Sequence, residues 1–205
     1  MSATPTFDQP LGAFLEQLAS RQPTPGGGAA AAVCLAQAAA LGSMVLRYTL
    51  GKEKFAQHEA RNSAALHALD TARAESLALA DADVAAYATL DPFLRLTAAE
   101  RAVAPGFSVA VETALAAPAA IGDLASGVAD ILRALDSTTT RLLRSDLVCA
   151  AELARAATLC AAANVRANLP LLSEESQRVR WEAWICARCE EARRCASAVE
   201  LGRRS

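Results

Sequence analysis

An alanine-rich, almost uncharged stretch, Ala29–Leu46, follows directly on the turn Pro23-Thr24-Pro25-Gly26-Gly27-Gly28. Proline in a helix interior removes a hydrogen bond, so the turn predicts a helix that begins at about residue 27. A helix that is apolar on every side is either a membrane span or the central helix of a globular bundle. This stretch is mostly alanine and contains Gln37, Gly42 and Ser43. We therefore predict a central helix buried in a bundle, and no membrane.

The composition extends this expectation to the whole chain. Its 205 residues are 53% hydrophobic but only 4% aromatic, which favours helices that pack with their backbones close together. No run alternates polar and apolar residues with a period of two, so we expect no sheet. The predicted fold is all-α, a bundle of long, Ala-rich, closely packed helices that form a single domain over residues 1–205. The net charge of −2 leaves no general basic surface, and we expect no nucleic-acid partner.

Prolines divide the chain into segments with helical patterns. The predicted helices cover residues 8–21, 27–50, 53–90, 97–117, 119–136, 139–168 and 173–201, each end to within several residues. Pro118 marks a predicted boundary, and Pro105-Gly106 is expected to kink or split the fourth helix. The segment 53–90 is roughly 50 Å long if it is continuous. A helix of that length projects beyond a small bundle unless another subunit covers it, so we expect a homodimer.

The six cysteines do not predict a metal site. Three of them lie within helical patterns, where a free cysteine behaves as a small apolar residue: Cys34, Cys149 and Cys160. The chain has one CxxC pair, Cys186 and Cys189, whereas a structural zinc site needs about four ligands. His58 and His67 fall on roughly opposite faces of one helix. The N-terminus is polar and does not resemble a signal peptide. We expect no metal and a cytoplasmic location.

The Pro-Gly turn has the properties of a ligand-binding loop. Its three glycines let the backbone approach a ligand without a β-carbon in the way. The first turn of the following helix presents unpaired N–H groups and the positive end of the helix dipole, which suit an anion or the polar edge of a heterocycle. A rigid turn that only opens a buried helix would have the same sequence.

Further motifs follow this turn along the chain. They are Thr49-Leu50-Gly51-Lys52, Asp81-Ala82-Asp83-Val84-Ala85-Ala86-Tyr87, Ser145-Asp146-Leu147 and Asn164-Val165-Arg166-Ala167-Asn168. From about Phe14 to about Glu191, the chain resembles the cyclodeaminase/cyclohydrolase family of folate enzymes, which comprises the C-terminal domain of formiminotransferase-cyclodeaminase and bacterial methenyltetrahydrofolate cyclohydrolases. The resemblance implies an all-helical, dimeric enzyme without a cofactor that acts on a one-carbon derivative of tetrahydrofolate. It also implies substrate binding by the turn residues Pro25, Gly26, Gly27 and Gly28.

Asp81 and Asp83 are the candidate catalytic residues. Two positions apart on a helix means about 200° of rotation, so the two carboxylates cannot share one pocket. Both flank the apolar stripe of their helix, where solvated charges that border a core face are also common. The resemblance implies that the first aspartate of the motif is the catalytic group. We therefore take Asp81 as the first candidate and Asp83 as the alternative.

Asp146 and Asn164 share one otherwise apolar stripe of the helix 139–168, where polar groups require a partner or a ligand. They lie five full turns apart, so they face the same way at a distance of roughly 27 Å. They cannot both contact one small head group, although they could serve the two ends of the helix or two subunits. Hydrogen bonding to other helices is the alternative role for Ser145, Asp146 and the asparagines. Lys52 is the candidate for binding the glutamate carboxylates of a folate tail, with favourable charge at a helix end as the alternative.

Three departures from the family pattern concern the pocket rather than the fold. Ala29 stands where the family commonly has serine. The segment Pro92–Leu96 replaces a Leu-Pro-Lys sequence, and the segment Thr138–Arg144 lacks a Gly-Asn pair.

Three functions are compatible with these motifs. The first is hydrolysis of 5,10-methenyltetrahydrofolate to 10-formyltetrahydrofolate, in which an aspartate deprotonates water and no metal is required, because the bridging carbon is already electrophilic. The second is cyclodeamination of 5-formiminotetrahydrofolate with release of ammonia, in which a carboxylic acid donates a proton. The third is a non-catalytic helical module that binds folate or a protein partner. No formiminotransferase domain is fused to this sequence, and on that ground we expect the cyclohydrolase.

Overall fold

The computed structural model describes Pro5 and residues 8–201, and in this part of the chain every regular element is a helix. The α-helices are α1 (Leu11–Ala19), α2 (Gly27–Arg47), α3 (Glu59–Leu94), α4 (Ala98–Val103), α5 (Phe107–Leu135), α6 (Arg144–Asn168) and α7 (Glu175–Leu201). Short 3-10 helices cover Glu53–His58, Arg141–Leu143 and Leu169–Leu171. The predicted all-α fold is confirmed. The predicted domain, 1–205, also includes residues 1–4, 6–7 and 202–205, which lie outside the described residues.

The boundary between α4 and α5 lies at Pro105-Gly106, where a kink or split is predicted. Helix α4 ends at Val103, and Gly106 precedes α5 with a φ of 85°. This left-handed conformation carries no steric penalty in glycine, which has no β-carbon. The split of the predicted helix 97–117 is therefore confirmed.

The predicted boundary at Pro118 is wrong, because α5 continues through this residue to Leu135. Proline in a helix interior costs about 3 kcal/mol or more, since it removes the hydrogen bond to the carbonyl four residues earlier. That carbonyl belongs to Ala114, and it accepts a hydrogen bond from Asn168 Nδ2 of α6 at 2.9 Å. A side chain from a neighbouring helix thus replaces the lost backbone donor.

Helix α2 packs against α3, α5 and α6 and supplies much of the core through small side chains. Its fully buried alanines include Ala29, Ala32, Ala38 and Ala39. Where α2 meets α3 and α5, a β-carbon at Gly42 would lie 2.6 Å from Leu132 Cδ2 and 2.8 Å from Leu69 Cδ1. The absence of a side chain at residue 42 therefore sets how closely these helices approach. The predicted buried central helix is confirmed.

Three segments of the described chain have the length and composition of a membrane span: α2, α5 and Arg141–Leu171. In the structure, 61%, 56% and 44% of their respective apolar windows is buried against the rest of the protein. Packing within the bundle thus buries more than half of the first two windows and less than half of the third.

Helix α6 runs antiparallel to α2. Near the N-terminus of α2, Gly27 lies against the Asn164 amide in the last turns of α6. Near the C-terminus of α2, the Thr140 N–H just before α6 donates to Thr49 Oγ1 at 3.2 Å. The bundle therefore has two ends roughly 30 Å apart. The Pro-Gly turn lies at one end, and the segment Thr49–Lys52 lies at the other.

Candidate functional site

A cavity of about 250 Å³ opens at the N-terminus of α2, and we call it the α2 cavity. The Pro-Gly turn, α3, α5 and the C-terminal end of α6 form its wall. The turn contributes Pro23, Thr24, Gly26, Gly27 and Gly28, and α5 contributes Ala114 and Pro118. The polar side chains of the wall are those of Thr24, Asp83, Tyr87, Asn164 and Asn168. The glycine turn, the acidic motif and the asparagine motif therefore meet in one cavity.

The turn enters α2 through Gly26, which has an extended backbone and accepts a hydrogen bond from the Ala30 N–H at 3.0 Å. The helix begins at Gly27, as predicted. Pro25 is half-buried and follows a cis Thr24–Pro25 bond. Unlike Gly26, Gly27 and Gly28, Pro25 does not line the α2 cavity.

Asp83 is the acidic group among the described residues that line the α2 cavity. Its half-buried side chain lies against Gly28, where a β-carbon would overlap the carboxylate. Burial raises the pKa of the Asp83 carboxyl above its ordinary value, and hydrogen bonding from the Ala29 backbone N–H opposes part of that rise. The carboxyl therefore holds a proton more tightly than an exposed aspartate does, and its ionised form is a stronger base.

Asp81, the first candidate for catalysis, does not line the α2 cavity. It is half-buried on the same helix, two residues before Asp83. The rotation of about 200° between the two positions directs their side chains to different sides of α3. Of the two candidates, the structure brings Asp83 to the glycine turn.

Asn164 and Asn168 extend the site along α6. Asn164 Nδ2 donates to the carbonyl of Cys160 at 2.8 Å, and a β-carbon on Gly27 would lie 3.2 Å from both Oδ1 and Nδ2 of this amide. Asn168 Nδ2 donates across to Ala114 of α5. Gly27 thus leaves space for an amide group that a side chain would displace.

The other predicted binding residues lie at the far end of the bundle. Lys52 and Ser145 are exposed, and Asp146 is half-buried. The lengths of α2 and α6 separate them from the α2 cavity by roughly 30 Å. Gly51 has a φ of 74°, which accounts for glycine beside Lys52. One subunit cannot bring these three side chains to a small ligand in the α2 cavity.

Sequence reasoning alone misses Tyr87 and Asn168 as site residues. Each follows a candidate residue by four positions, Tyr87 after Asp83 and Asn168 after Asn164. Residues four apart share one face of a helix, so this spacing is the signal that points to both.

A second, larger cavity of about 390 Å³ lies between α4, the start of α5 and the α6–α7 connection. Its wall mixes charges of both signs and includes Arg101, Glu112, Ser173, Glu174 and Gln177. None of the motif residues lines it, so we assign the candidate site to the α2 cavity.

Among the described residues, no group of three or more histidine, cysteine, aspartate or glutamate side chains has a metal-binding arrangement. All six cysteines are free. Cys186 and Cys189 of the CxxC pair are exposed and half-buried, respectively.

Sequence comparison relates the chain to known proteins over most of its length. A family model described as formiminotransferase-cyclodeaminase matches residues 10–185. A formimidoyltransferase-cyclodeaminase from Gallus gallus is 30% identical over 199 residues, which cover 93% of this chain and 36% of that protein. The chain therefore spans about a third of that relative's length. A methenyltetrahydrofolate cyclohydrolase from Methylorubrum extorquens is 57% identical over 47 residues, 23% of each chain.

Structural comparison gives a match that extends over the whole bundle. The crystal structure of a formiminotetrahydrofolate cyclodeaminase from Thermotoga maritima superimposes with a TM-score of 0.88 over 96% of both chains, at 26% sequence identity. The packing of helices described above is therefore shared with a protein of the same extent.

Proposed function

This chain belongs to the formiminotransferase-cyclodeaminase family, and on that premise we propose that it hydrolyses 5,10-methenyltetrahydrofolate to 10-formyltetrahydrofolate. The observation that carries the proposal is a half-buried carboxyl group with a raised pKa, that of Asp83, at the glycine-lined start of α2. The choice of reaction is supported by the 57% identity, over 47 residues, to a protein named methenyltetrahydrofolate cyclohydrolase.

The substrate is a cation at the atom that reacts. Its bridging carbon joins N5 and N10 in an amidinium group, which we place beside the Asp83 carboxylate. Attraction between the two charges is stronger in a partly water-excluded cavity than in bulk water. Substrate binding therefore keeps Asp83 ionised despite its raised pKa.

Asp83 then acts as a proton acceptor and, in the next step, as a proton donor. It takes a proton from a water molecule as the water oxygen bonds to the bridging carbon. The bond from this carbon to N5 breaks, its electron pair remains on N5, and Asp83 returns the proton to N5. The remaining hydroxyl proton passes to solvent, and the carbon becomes the formyl group on N10. One water is consumed and one proton is released.

The proposed reaction uses neither a metal nor a cofactor. The amidinium carbon is already electrophilic, so attack by water needs only a positioned base and stabilisation of the charges. The tetrahydrofolate derivative enters as the substrate and leaves as the product.

Cyclodeamination of 5-formiminotetrahydrofolate is the second candidate. It is favoured by the likeness to the Thermotoga maritima cyclodeaminase, which covers 96% of both chains. In this reaction N10 attacks the formimino carbon and ammonia leaves after the departing nitrogen is protonated. The raised pKa of Asp83 favours the protonated carboxyl that such a step requires.

We also propose a homodimer in which the far end of one subunit completes the α2 cavity of its partner. The support is the separation of Lys52 and Asp146 from the α2 cavity within one subunit, roughly 30 Å. The same end exposes Tyr48 and Leu142, of which 59% and 86% are accessible, and exposed apolar side chains suit a subunit contact. Lys52 would then meet the glutamate carboxylates of a folate bound in the other subunit.

We place this enzyme in the cytoplasm, with no membrane and no nucleic acid as a partner. Six free cysteines are typical of a compartment that keeps thiols reduced. The net charge of −2 gives no general attraction to phosphate backbones.

An absorbance assay that offers purified protein each folate separately tests the proposal. Hydrolysis removes the absorbance of the methenyl group faster than buffer alone does, whereas cyclodeamination creates that absorbance from the formimino substrate. Loss of the methenyl signal supports the proposed reaction, and gain of the signal moves the assignment to the second candidate. Binding of either folate without turnover would contradict both reactions and favour a non-catalytic folate-binding module.

A further inference from the structure

Asn168 is held by an unusual pairing between two helices at the wall of the α2 cavity. Pro118 has no N–H, so the carbonyl of Ala114 lacks its helical donor. Asn168 Nδ2 fills this place from α6 at 2.9 Å. All three residues line the α2 cavity. The carbonyl that Pro118 leaves without a helical donor therefore holds the Asn168 side chain at the wall of the cavity.

The chemistry of this contact fixes the direction of the amide. A backbone carbonyl only accepts hydrogen bonds, so the amide must turn its NH₂ group toward Ala114. The Oδ1 atom of Asn168 is then the acceptor left for another partner. Asn164 is held in the same sense, because its Nδ2 donates to the carbonyl of Cys160 at 2.8 Å. Each asparagine thus donates one amide N–H group to a backbone carbonyl, and its Oδ1 atom can accept a hydrogen bond.

The α2 cavity therefore combines two amide acceptors, the Oδ1 atoms of Asn164 and Asn168, with the Asp83 carboxylate, which we place at the bridging carbon. A tetrahydropterin ring carries matching donors, since its pyrimidinone edge presents an exocyclic amino group and the N3–H group. A site built to accept hydrogen bonds discriminates strongly against ligands that lack the donors, because its polar groups are then left unpaired.

We propose that Asn168 is a positioning residue whose Oδ1 accepts a hydrogen bond from the aminopyrimidinone edge of the substrate, and that Pro118 sets its orientation by freeing the Ala114 carbonyl. This inference rests on the proposed folate substrate. It assigns Asn168 to recognition of the pterin ring, and it leaves proton transfer to Asp83. Loss of the contact should raise KM and leave kcat nearly unchanged, because the hydrogen bond is equally present before and during the reaction.

Two substitutions test the assignment. Asn168→Leu keeps a similar volume and removes the amide. Pro118→Ala gives residue 118 an N–H that competes with Asn168 for the Ala114 carbonyl. Pro92→Ala is the matched control, because Pro92 also lies inside a helix but does not line the α2 cavity. Calorimetric titration would measure the affinity of each variant for tetrahydrofolate, for 6-methyltetrahydropterin, which lacks the tail, and for p-aminobenzoylglutamate, which lacks the pterin.

We expect Asn168→Leu to lower the affinity for both pterin ligands roughly five- to tenfold, the effect of one hydrogen bond, and to leave p-aminobenzoylglutamate unaffected. Pro118→Ala should lower the same two affinities by a smaller factor while it raises the thermal midpoint of unfolding, because α5 regains a backbone hydrogen bond. A purely structural role would change the thermal midpoint without this selectivity among ligands.

The possible results distinguish a failure of the role proposed for Asn168 from a failure of the proposed folate substrate. Wild-type protein that binds neither tetrahydrofolate nor 6-methyltetrahydropterin would overturn the folate assignment and, with it, the role of Asn168. Wild-type protein that binds both, with unchanged affinity in Asn168→Leu and Pro118→Ala, would overturn the role of Asn168 alone. An equal loss for all three ligands would also overturn it, because the effect would not be specific to the pterin.

Discussion

The Asp83 carboxylate on α3 occupies the space that a β-carbon on Gly28 of α2 would need. Gly28 is buried and lies within the first turn of its helix. The glycine is therefore required by what lies opposite it rather than by the backbone conformation. Contact between the two residues places a carboxylate at the positive end of α2 and closes one side of the α2 cavity.

Gly28→Ala should displace Asp83 without unfolding the protein. The side chain of Asp83 can rotate away from a new β-carbon, so the expected result is a loss of turnover of roughly 10²-fold or more with the helical circular dichroism retained. Gly127→Ala on α5 is the control, because a β-carbon there meets nothing within 4 Å. Full activity in Gly28→Ala would show that the position of Asp83 against the turn is not needed.

Asp83→Asn should remove the general base and the negative charge while it keeps the size of the side chain. We expect turnover to fall by roughly 10²-fold or more. Asp81→Asn is the matched control on the same helix, and we expect it to keep most of the activity because Asp81 does not line the α2 cavity. Steady-state kinetics with the folate that the wild type turns over is the measurement. An inactive Asp81→Asn beside an active Asp83→Asn would return the catalytic role to the first aspartate of the motif.

The raised pKa of Asp83 makes a prediction about stability. The folded protein binds the proton of the Asp83 carboxyl more tightly than the unfolded chain does. This tighter binding contributes fully to the free energy of unfolding below the ordinary pKa of 3.8. The contribution is lost as pH rises through the raised pKa of the folded state. Asp83→Asn should therefore stabilise the protein at neutral pH, and this gain should shrink as pH falls toward 3.8. Urea unfolding at a series of pH values measures the difference, with Gly127→Ala as a variant that adds no titrating group. A gain that is constant with pH would contradict the assignment.

Mixed dimers can show whether a site is shared between subunits. If Asp83 of one subunit and Asp146 of the other serve the same site, a dimer of Asp83→Asn with Asp146→Asn chains has one intact site and one doubly altered site. Random mixing of two inactive variants should then restore about a quarter of the wild-type activity, because half of the dimers are mixed and each has one intact site. A site contained in one subunit would give no recovery. Light scattering on the wild type is the necessary control, since a stable monomer would contradict the shared site.

Gly42→Ala should destabilise the core. Its new β-carbon would come within 2.8 Å of leucine side chains on α3 and α5 that are fully buried, and overpacking of this kind costs about 1–3 kcal/mol. Gly127→Ala should have the opposite sign, a gain of about 0.8–1 kcal/mol from helix propensity alone. Chemical unfolding of both variants measures the contrast. Equal stability of the two would show that α2 can move away from its neighbours at little cost.

Most of the fold and part of the candidate site could be predicted from the sequence. The start of α2 at Gly27 was predictable because proline and glycine act through the local backbone, which needs no knowledge of tertiary contacts. The same local rule failed at Pro118, where a side chain fifty residues further along the chain supplies the missing hydrogen bond. A local pattern cannot reveal such a partner.

The choice between the two aspartates shows a second limit. Helical geometry correctly separated Asp81 from Asp83, but it could not say which of the two faces meets the glycine turn. That depends on how α3 is rotated against α2, which the contact between Gly28 and Asp83 decides. The four-residue spacing of Asp83 and Tyr87 can be read from the sequence and places both residues on one face of α3. Once this face is known to meet the glycine turn, the spacing favours Asp83 over Asp81.

The alanine-built helix α2 has a practical consequence for mapping this protein by mutagenesis. Alanine scanning measures a residue by removing its side chain, and residues such as Ala32, Ala38 and Ala39 have nothing further to remove, although each is fully buried. Such a scan would therefore give no information about these core positions. Substitution of these alanines with valine or leucine adds volume to a core that has no free space. We expect stability to be most sensitive to substitutions of this kind.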